Sequence, residues 1–212
     1  MFYNAEHYAD PTAGAAEYRE NRNARARARA SSKRREEPMH DKIFAIDPGT
    51  THSGYVIVEH DGREITRVLS RGKLPNEELL RQLPYNVGRA EIVVEMVASY
   101  GMAVGREVFE TCVWIGRFLQ LGAVLPERQP RHIVYRLEEK KALCHNGHAK
   151  DGNIMQALVD RYACGQPNHG KGTKASPGFF YGFSKDAWQA MAVAVTWLDR
   201  ETRRGATEGD AS

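Results

Sequence analysis

Three acids in this 212-residue chain stand where one kind of local structure gives way to another. Asp47 closes the apolar run Lys42-Ile43-Phe44-Ala45-Ile46, Glu95 closes Glu91-Ile92-Val93-Val94, and Asp186 opens the periodic stretch that begins at Ser184. If the first and fourth strands are adjacent and parallel, Asp47 and Glu95 emerge side by side at one end of a sheet. Asp186 then needs only a helix crossing that end. Carboxylates gathered in this way repel one another unless they hold divalent cations. Hard Mg²⁺ or Mn²⁺ suits oxygen ligands, and two ions roughly 3.5–4 Å apart can activate water and stabilise the leaving oxygen of a phosphodiester. Each acid also has an ordinary role open to it: Asp186 as a helix N-cap, Asp47 as a turn former before Pro48, Glu95 as a surface acid at a strand end.

Cations suited to phosphate follow in the second half of the chain. Residues 128–186 carry ten Lys+Arg against five Asp+Glu, whereas residues 41–127 carry nine against twelve. Arg136, Lys140, Lys141, Lys150, Lys171, Lys174 and Lys185 fall in the basic block, and Lys150 and Lys185 are the best candidates for contacts beside a scissile phosphate. The Gly-rich stretch Gly170-Lys171-Gly172-Thr173-Lys174 reads as a loop mobile enough to follow a phosphate backbone. The ordinary alternative for each Lys is a solvated surface position.

The elements that must position these groups are readable from periodicity. Three strands come first, at Lys42–Ile46, Tyr55–Glu59 and Glu64–Leu69, the last two joined across the hairpin signal His60-Asp61-Gly62-Arg63. A short helix from Pro75 to about Leu83, a strand over Glu91–Glu95 and a helix from about Gly105 to Leu121 follow. His132–Arg136 reads as a fifth strand, Asp151–Cys164 as a helix, and residues 165–182 as a loop. The last helix, about Ser184 to Arg200, presents Ala187, Ala190, Met191, Ala194, Val195 and Leu198 on one narrow face. The order predicts an α/β domain over residues 41–200, a mixed five-stranded sheet with helices on both faces.

Residues 1–40 read as a flexible arm. From Arg19 to Pro38 there is no Val, Ile, Leu, Phe or Trp, while Arg25, Arg27, Arg29, Lys33, Arg34 and Arg35 cluster, so the segment serves either as a nucleic-acid-binding arm or as a solubilising tail. Residues 201–212 read as a short polar tail. No run of about 18 apolar residues exists, and the first thirty residues lack the apolar core of a secretory signal. Three irregularly spaced cysteines suit reduced thiols. The expectation is a cytoplasmic protein, associated with the nucleoid or acting in a host cytoplasm, that does not enter a membrane.

Three segments together resemble the RuvC family of Holliday junction resolvases within the RNase H-like nucleases: Ala45-Ile46-Asp47-Pro48-Gly49-Thr50-Thr51-His52-Ser53-Gly54-Tyr55, Val93-Val94-Glu95-Met96, and Asp186-Ala187-Trp188-Gln189-Ala190-Met191-Ala192-Val193-Ala194. The resemblance spans about residues 42–198. It is strongest to phage-type members, through the Asp-Pro-Gly-Thr-Thr turn, Gly105-Arg-Glu-Val-Phe-Glu110-Thr-Cys-Val-Trp114 and Ser184-Lys185-Asp186. It implies an RNase H-like fold, a homodimer, Mg²⁺ dependence with Mn²⁺ as substitute, and paired nicks in branched DNA at a four-way junction. It also places the first three catalytic acids on Asp47, Glu95 and Asp186. The fourth departs from the pattern: where the family has Asp-x-x-Asp-Ala-Leu-Ala, this chain has Gln189, an amide that can ligate a metal without bringing charge. The aromatic wedge expected after the second acid is displaced as well, since Ala98 stands near that place and Tyr100 is the nearest ring. Tyr100 could stack on an unpaired base.

Other readings compete with the nuclease. An ATPase of the actin or chaperone type uses a similar Asp-x-Gly-Thr-Thr turn but clamps its nucleotide between two such domains, and one fits here. A zinc module from Cys144, His145, His148, Cys164 and His169 has no familiar ligand spacing. A branched-DNA-binding protein that keeps the fold without catalysis is the reading Gln189 leaves open.

Overall fold

In a computed structural model the residues described are 41–86, 90–99, 101, 103–124 and 131–209. The 1–40 arm and Tyr100 lie outside them. The strands are β1 (Asp41–Asp47), β2 (His52–His60), β3 (Ile65–Pro75), β4 (Glu91–Met96) and β5 (Arg131–Tyr135). The helices are α1 (Asn76–Asn86), α2 (Arg106–Val124), α3 (Arg136–Cys144), α4 (Asp151–Tyr162) and α5 (Lys185–Gly209). One sheet has the order β3-β2-β1-β4-β5. β1, β2 and β3 are antiparallel neighbours, and β4 lies parallel to β1 and to β5. This is the expected mixed sheet.

Side chains alternate across the strands, so each strand feeds two cores. Phe44, Ile46, Ile57, Ile92 and Val94 meet Leu79 of α1 and Ile115 and Phe118 of α2 on one face. Ile43, Ala45, Val56, Val58, Val93 and Val134 meet α4 and α5 on the other. α5 packs on β1 and β2 and is flanked by α3 and α4. Its Ala192, Val193 and Trp197 are therefore buried along with the predicted face. A helix buried on most of its circumference holds its own first turn in a fixed place.

The differences from the sequence reading have physical causes. β3 continues to Pro75 rather than stopping near Leu69. It is an edge strand, where Arg67, Arg71 and Lys73 need no apolar alternation and also discourage pairing with another sheet. α3 escapes the periodicity rule because its nine residues, Arg136–Cys144, are mostly polar; it ends at His145, whose φ of 52° is left-handed. The segment after Arg200 is no free tail, since α5 runs on to Gly209. The Thr202 hydroxyl ties that extension to the Gly62 carbonyl at 3.0 Å.

The basic loop is also more ordered than expected. Tyr162 stacks on Phe179 at 5.2 Å, and Phe180 packs on Trp188 at 4.4 Å. Between these anchors Lys171–Gly178 forms a tight hairpin, with the Gly178 N–H donating to the Lys171 carbonyl and the Thr173 N–H to the Ser176 carbonyl, each at 3.0 Å. Lys171 and Lys174 thus sit on a shaped turn.

Candidate functional site

The β1–β4 register aligns Ile43 with Glu91 and Ile46 with Val94, so the next pair is Asp47 and Glu95. Their side chains hydrogen-bond each other. The β4–β5 register continues the row, aligning Met96 with Tyr135, so that Arg136 and the first turn of α3 follow directly beside Glu95. Three parallel strand ends therefore deliver two acids and an arginine to one edge.

The turn after β1 is held by a small buried network. Asn76 at the start of α1 donates from Nδ2 to the Gly49 carbonyl at 2.8 Å and accepts at Oδ1 from the Ser53 hydroxyl at 2.7 Å. The Gly49 N–H donates to Ser53 Oγ, and the Asn76 N–H to the Thr51 carbonyl. Both side chains are buried, so the pairing is obligatory rather than incidental.

Asp186 arrives by close approach. A Cβ on Gly54, the β2 partner of Asp47, would lie 2.5 Å from the Asp186 carbonyl oxygen and 2.8 Å from its Cβ. Only glycine admits the start of α5 at that distance. Asp47, Thr50, Thr51, Lys73 and Asp186 share an open polar cleft of about 280 Å³. Asp186 Oδ1 accepts from Lys73 Nζ at 3.1 Å.

Glu139, on the first turn of α3, joins the cluster from beneath. It is fully buried, and its Oε2 accepts from Arg136 Nη1 at 2.6 Å while Arg136 Nη2 donates to Asp151 at 2.6 Å. Arg136 is thus turned into the acids and held by two of them. Lys150 and Lys185 are exposed at the starts of α4 and α5, each one residue before an acid of the cluster, Asp151 and Asp186. Lys140 and Lys141 lie further along α3, and Lys141 lines a separate groove with Arg200 and Arg203.

Sequence reasoning thus named Asp47, Glu95 and Asp186 but missed Lys73, Glu139 and Asp151. Lys73 belongs to the part of β3 that no alternation marked. For Glu139 a signal existed: an acid three residues after an arginine, directly behind a strand end, faces that arginine once the segment is helical.

Electrostatics follow from burial. Desolvation pushes the Glu95 carboxyl up to about 9, aided by the charges of Glu139 and Asp47 and opposed by Arg136. Asp47 is likewise raised by burial, with the hydrogen bond from Glu95 and the charge of Arg136 pulling the other way. Burial lifts Glu139 to about 8 despite Arg136. Burial and mutual repulsion therefore favour the protonated form within this cluster, a demand that positive charge placed among the carboxyls would relieve.

Among the described residues no three His, Cys, Asp or Glu side chains converge tightly enough to chelate one ion, the Cys/His set included. Asp47 and Glu95 face each other, and Asp186 faces Lys73. The donor set nevertheless fits a hard cation: it is all oxygen and crowded with acids, and Glu139 Oε1 and Gln189 Oε1 are buried without a hydrogen-bond partner among the described residues. Gln189 lies one turn beyond Asp186 on α5, as the spacing required. A larger cavity of about 950 Å³ lies at the opposite end of the sheet. Its acids are already matched, Glu91 with His132 and Glu201 with Arg200 and Arg204, so it offers no comparable demand for a cation.

This mixed five-stranded sheet with helices on both faces is a fold shared with solved RuvC structures. The fold matches that of Thermus thermophilus RuvC, with a TM-score of 0.56 at 19% identity over 77% of this chain and 96% of the other. It also matches T. thermophilus RuvC in complex with a Holliday junction substrate, with a TM-score of 0.54 at 17% identity over 77% and 98%. A weaker likeness, TM-score 0.47 at 8% identity over 80% and 86%, is to the yeast mitochondrial Holliday junction resolvase Ydc2. No protein-family model and no curated protein sequence matches the chain. No described helix is long and apolar enough to cross a membrane.

The raised carboxyls make stability pH-dependent. The unfolded chain loses these protons near the ordinary carboxylate range, the folded chain only near pH 8 and 9, so the folded state holds more protons in between. Raising the pH then favours unfolding. With a chelator present, the melting temperature should fall from pH 7 to 9, a window above that in which the lowered His60 acts. Glu95→Gln should flatten that fall; a melting temperature that rises over the window would contradict the assignment.

Proposed function

We propose that the chain is a divalent-metal-dependent endonuclease that hydrolyses phosphodiester bonds in branched DNA, four-way junctions foremost. The observation that carries this reading is the meeting of Asp47 with Glu95 at the ends of two parallel strands, with Asp186 in the adjoining cleft. The RuvC-like fold supports it, since T. thermophilus RuvC has been seen on a Holliday junction.

Asp47 and Glu95 would hold Mg²⁺ or Mn²⁺ between them, with Asp186 as the third acid and the Gln189 amide oxygen as a neutral ligand. The cation, when bound, supplies an activated water and charge stabilisation at the departing oxygen. The chain's own groups do the rest. Asp47 and Glu95, which contact each other without a cation, would both turn carboxylate oxygens to it, and any proton held between them would pass to solvent water. Lys73 and Lys185 flank the cleft and can neutralise a phosphate drawn to it. Lys150, Lys140, Lys141, Lys171 and Lys174 extend the positive surface along the DNA, while Arg136, tied to Glu139 and Asp151, stiffens the floor and offers charge from below. Tyr100 and the Arg-rich arm are assigned to junction contacts on sequence alone.

Cutting two strands symmetrically requires two such sites, and α2 offers the pairing surface. Phe109 and Val113 are 62% and 64% exposed, Cys112 is exposed beside them, and among the described residues nothing lies within 4 Å of a Cβ placed on Gly116 one turn on. An exposed apolar helix face that runs up to a glycine lets a second copy approach closely, and a twofold pair is the simplest closed assembly.

Asp47→Asn tests the site. Mg²⁺-supported cleavage of a labelled four-way junction should fall by at least ~100-fold, about 2.7 kcal/mol of transition-state stabilisation, while junction binding persists. Undiminished cleavage would refute the site, and wild type that binds without cutting would favour a non-catalytic junction binder. Phe109→Asp with Val113→Asp should turn a dimer into a monomer in sedimentation; an unchanged sedimentation coefficient would remove α2 from the interface.

A further inference from the structure

The acid missing at Gln189 has a candidate replacement on a different element. Glu139 is fully buried on the first turn of α3, and its two oxygens are treated unequally: Oε2 accepts from Arg136, while Oε1 has no hydrogen-bond partner among the described residues. An unsatisfied buried carboxylate oxygen is costly, and nothing about holding Arg136 requires one, because Asp151 already supplies that guanidinium with a second acid. The carboxylate is also near enough to Glu95 that its charge acts there more strongly than that of Asp47. Because α3 starts where β5 ends, in register with β4, its first turn stands beside Glu95.

We infer that Glu139 is the fourth acid of the cation site, presenting Oε1 to a divalent ion it shares with Glu95 while Arg136 holds Oε2, and so replacing the carboxylate absent at Gln189. The inference rests on the cation site proposed above and moves one ligand from the last helix to α3. Arg136 becomes the brace that aims a buried ligand, a common arrangement around metal-binding carboxylates. Asp47, Glu95, Glu139, Asp151 and Asp186 are met by Arg136 and Lys73, so added positive charge is favoured there.

Mn²⁺ binding to the full chain, without DNA, separates the possibilities, read by calorimetry and by loss of the free-ion electron paramagnetic resonance signal. Glu139→Gln should weaken Mn²⁺ binding by about tenfold or more, and adding Gln189→Asp to that variant should restore it. Wild-type affinity in folded Glu139→Gln, or no recovery in the double variant, would overturn the inference. If Glu139→Gln does not fold, Glu139→Asp takes its place: it keeps the charge but withdraws the carboxylate by one methylene, so Mn²⁺ affinity should fall and Gln189→Asp added to it should restore it, and wild-type affinity in Glu139→Asp would overturn the inference. Asp47→Asn also separates the two levels. If it leaves Mn²⁺ binding unchanged, the strand-end site itself fails; if it abolishes binding while Glu139→Gln does not, only the role of Glu139 fails.

Discussion

The parallel pairing of β1 with β4 is the constraint on which the rest of the structure depends. It is a matter of register as much as of adjacency: with Ile46 opposite Val94, the two strands run out of apolar residues together and place a carboxyl on each end. A slip of one residue would keep the pairing and send one acid to the other face. The register is fixed from both sides, since Phe44, Ile46, Ile92 and Val94 fill one core while Ile43, Ala45 and Val93 fill the other. Two buried faces leave the strands no alternative alignment of comparable energy.

Around that pair the surroundings share one purpose, to bring acids closer than they would come unaided. Gly54 lets the start of α5 press against β2, Asn76 and Ser53 lock the turn after Asp47, and α3 begins without a spacer after β5. The cost appears as protons retained on Glu95 and Glu139 far above the usual carboxylate range. A fold built only for stability gains nothing by burying acids this way. The cation site proposed above gives that burial a use, since the same crowding that raises the carboxyls would let the cluster exchange protons for metal.

The parts of this arrangement legible in the sequence are those carried by pattern. Short apolar runs ending in Asp47 and Glu95, and the small-residue stripe of α5 behind Asp186, announce themselves through period and position. The α/β class follows from element order, whereas the adjacency of the first and fourth strands enters the sequence reading only as a condition, which the sheet order meets. The hidden parts are those in which no pattern is needed. β3 runs on through Arg71 and Lys73 because an edge strand tolerates charge, which conceals the cation beside Asp186. α3 is short and polar, so Glu139 looks like a solvated helix acid, yet α4 and α5 both pack against α3 and Glu139 is fully buried. Arg136 shows the same limit: a basic residue in a basic block looks free for phosphate, yet both its terminal nitrogens are spent on Glu139 and Asp151.

The central claim is that the strand-end carboxyls form a cation site. Anomalous diffraction from crystals grown with Mn²⁺ tests it most directly. The expected result is a manganese peak between the Asp47 and Glu95 carboxyls, with Asp186 turned from Lys73 toward it. Manganese bound elsewhere, with Glu95 still hydrogen-bonded to Asp47, would contradict the claim.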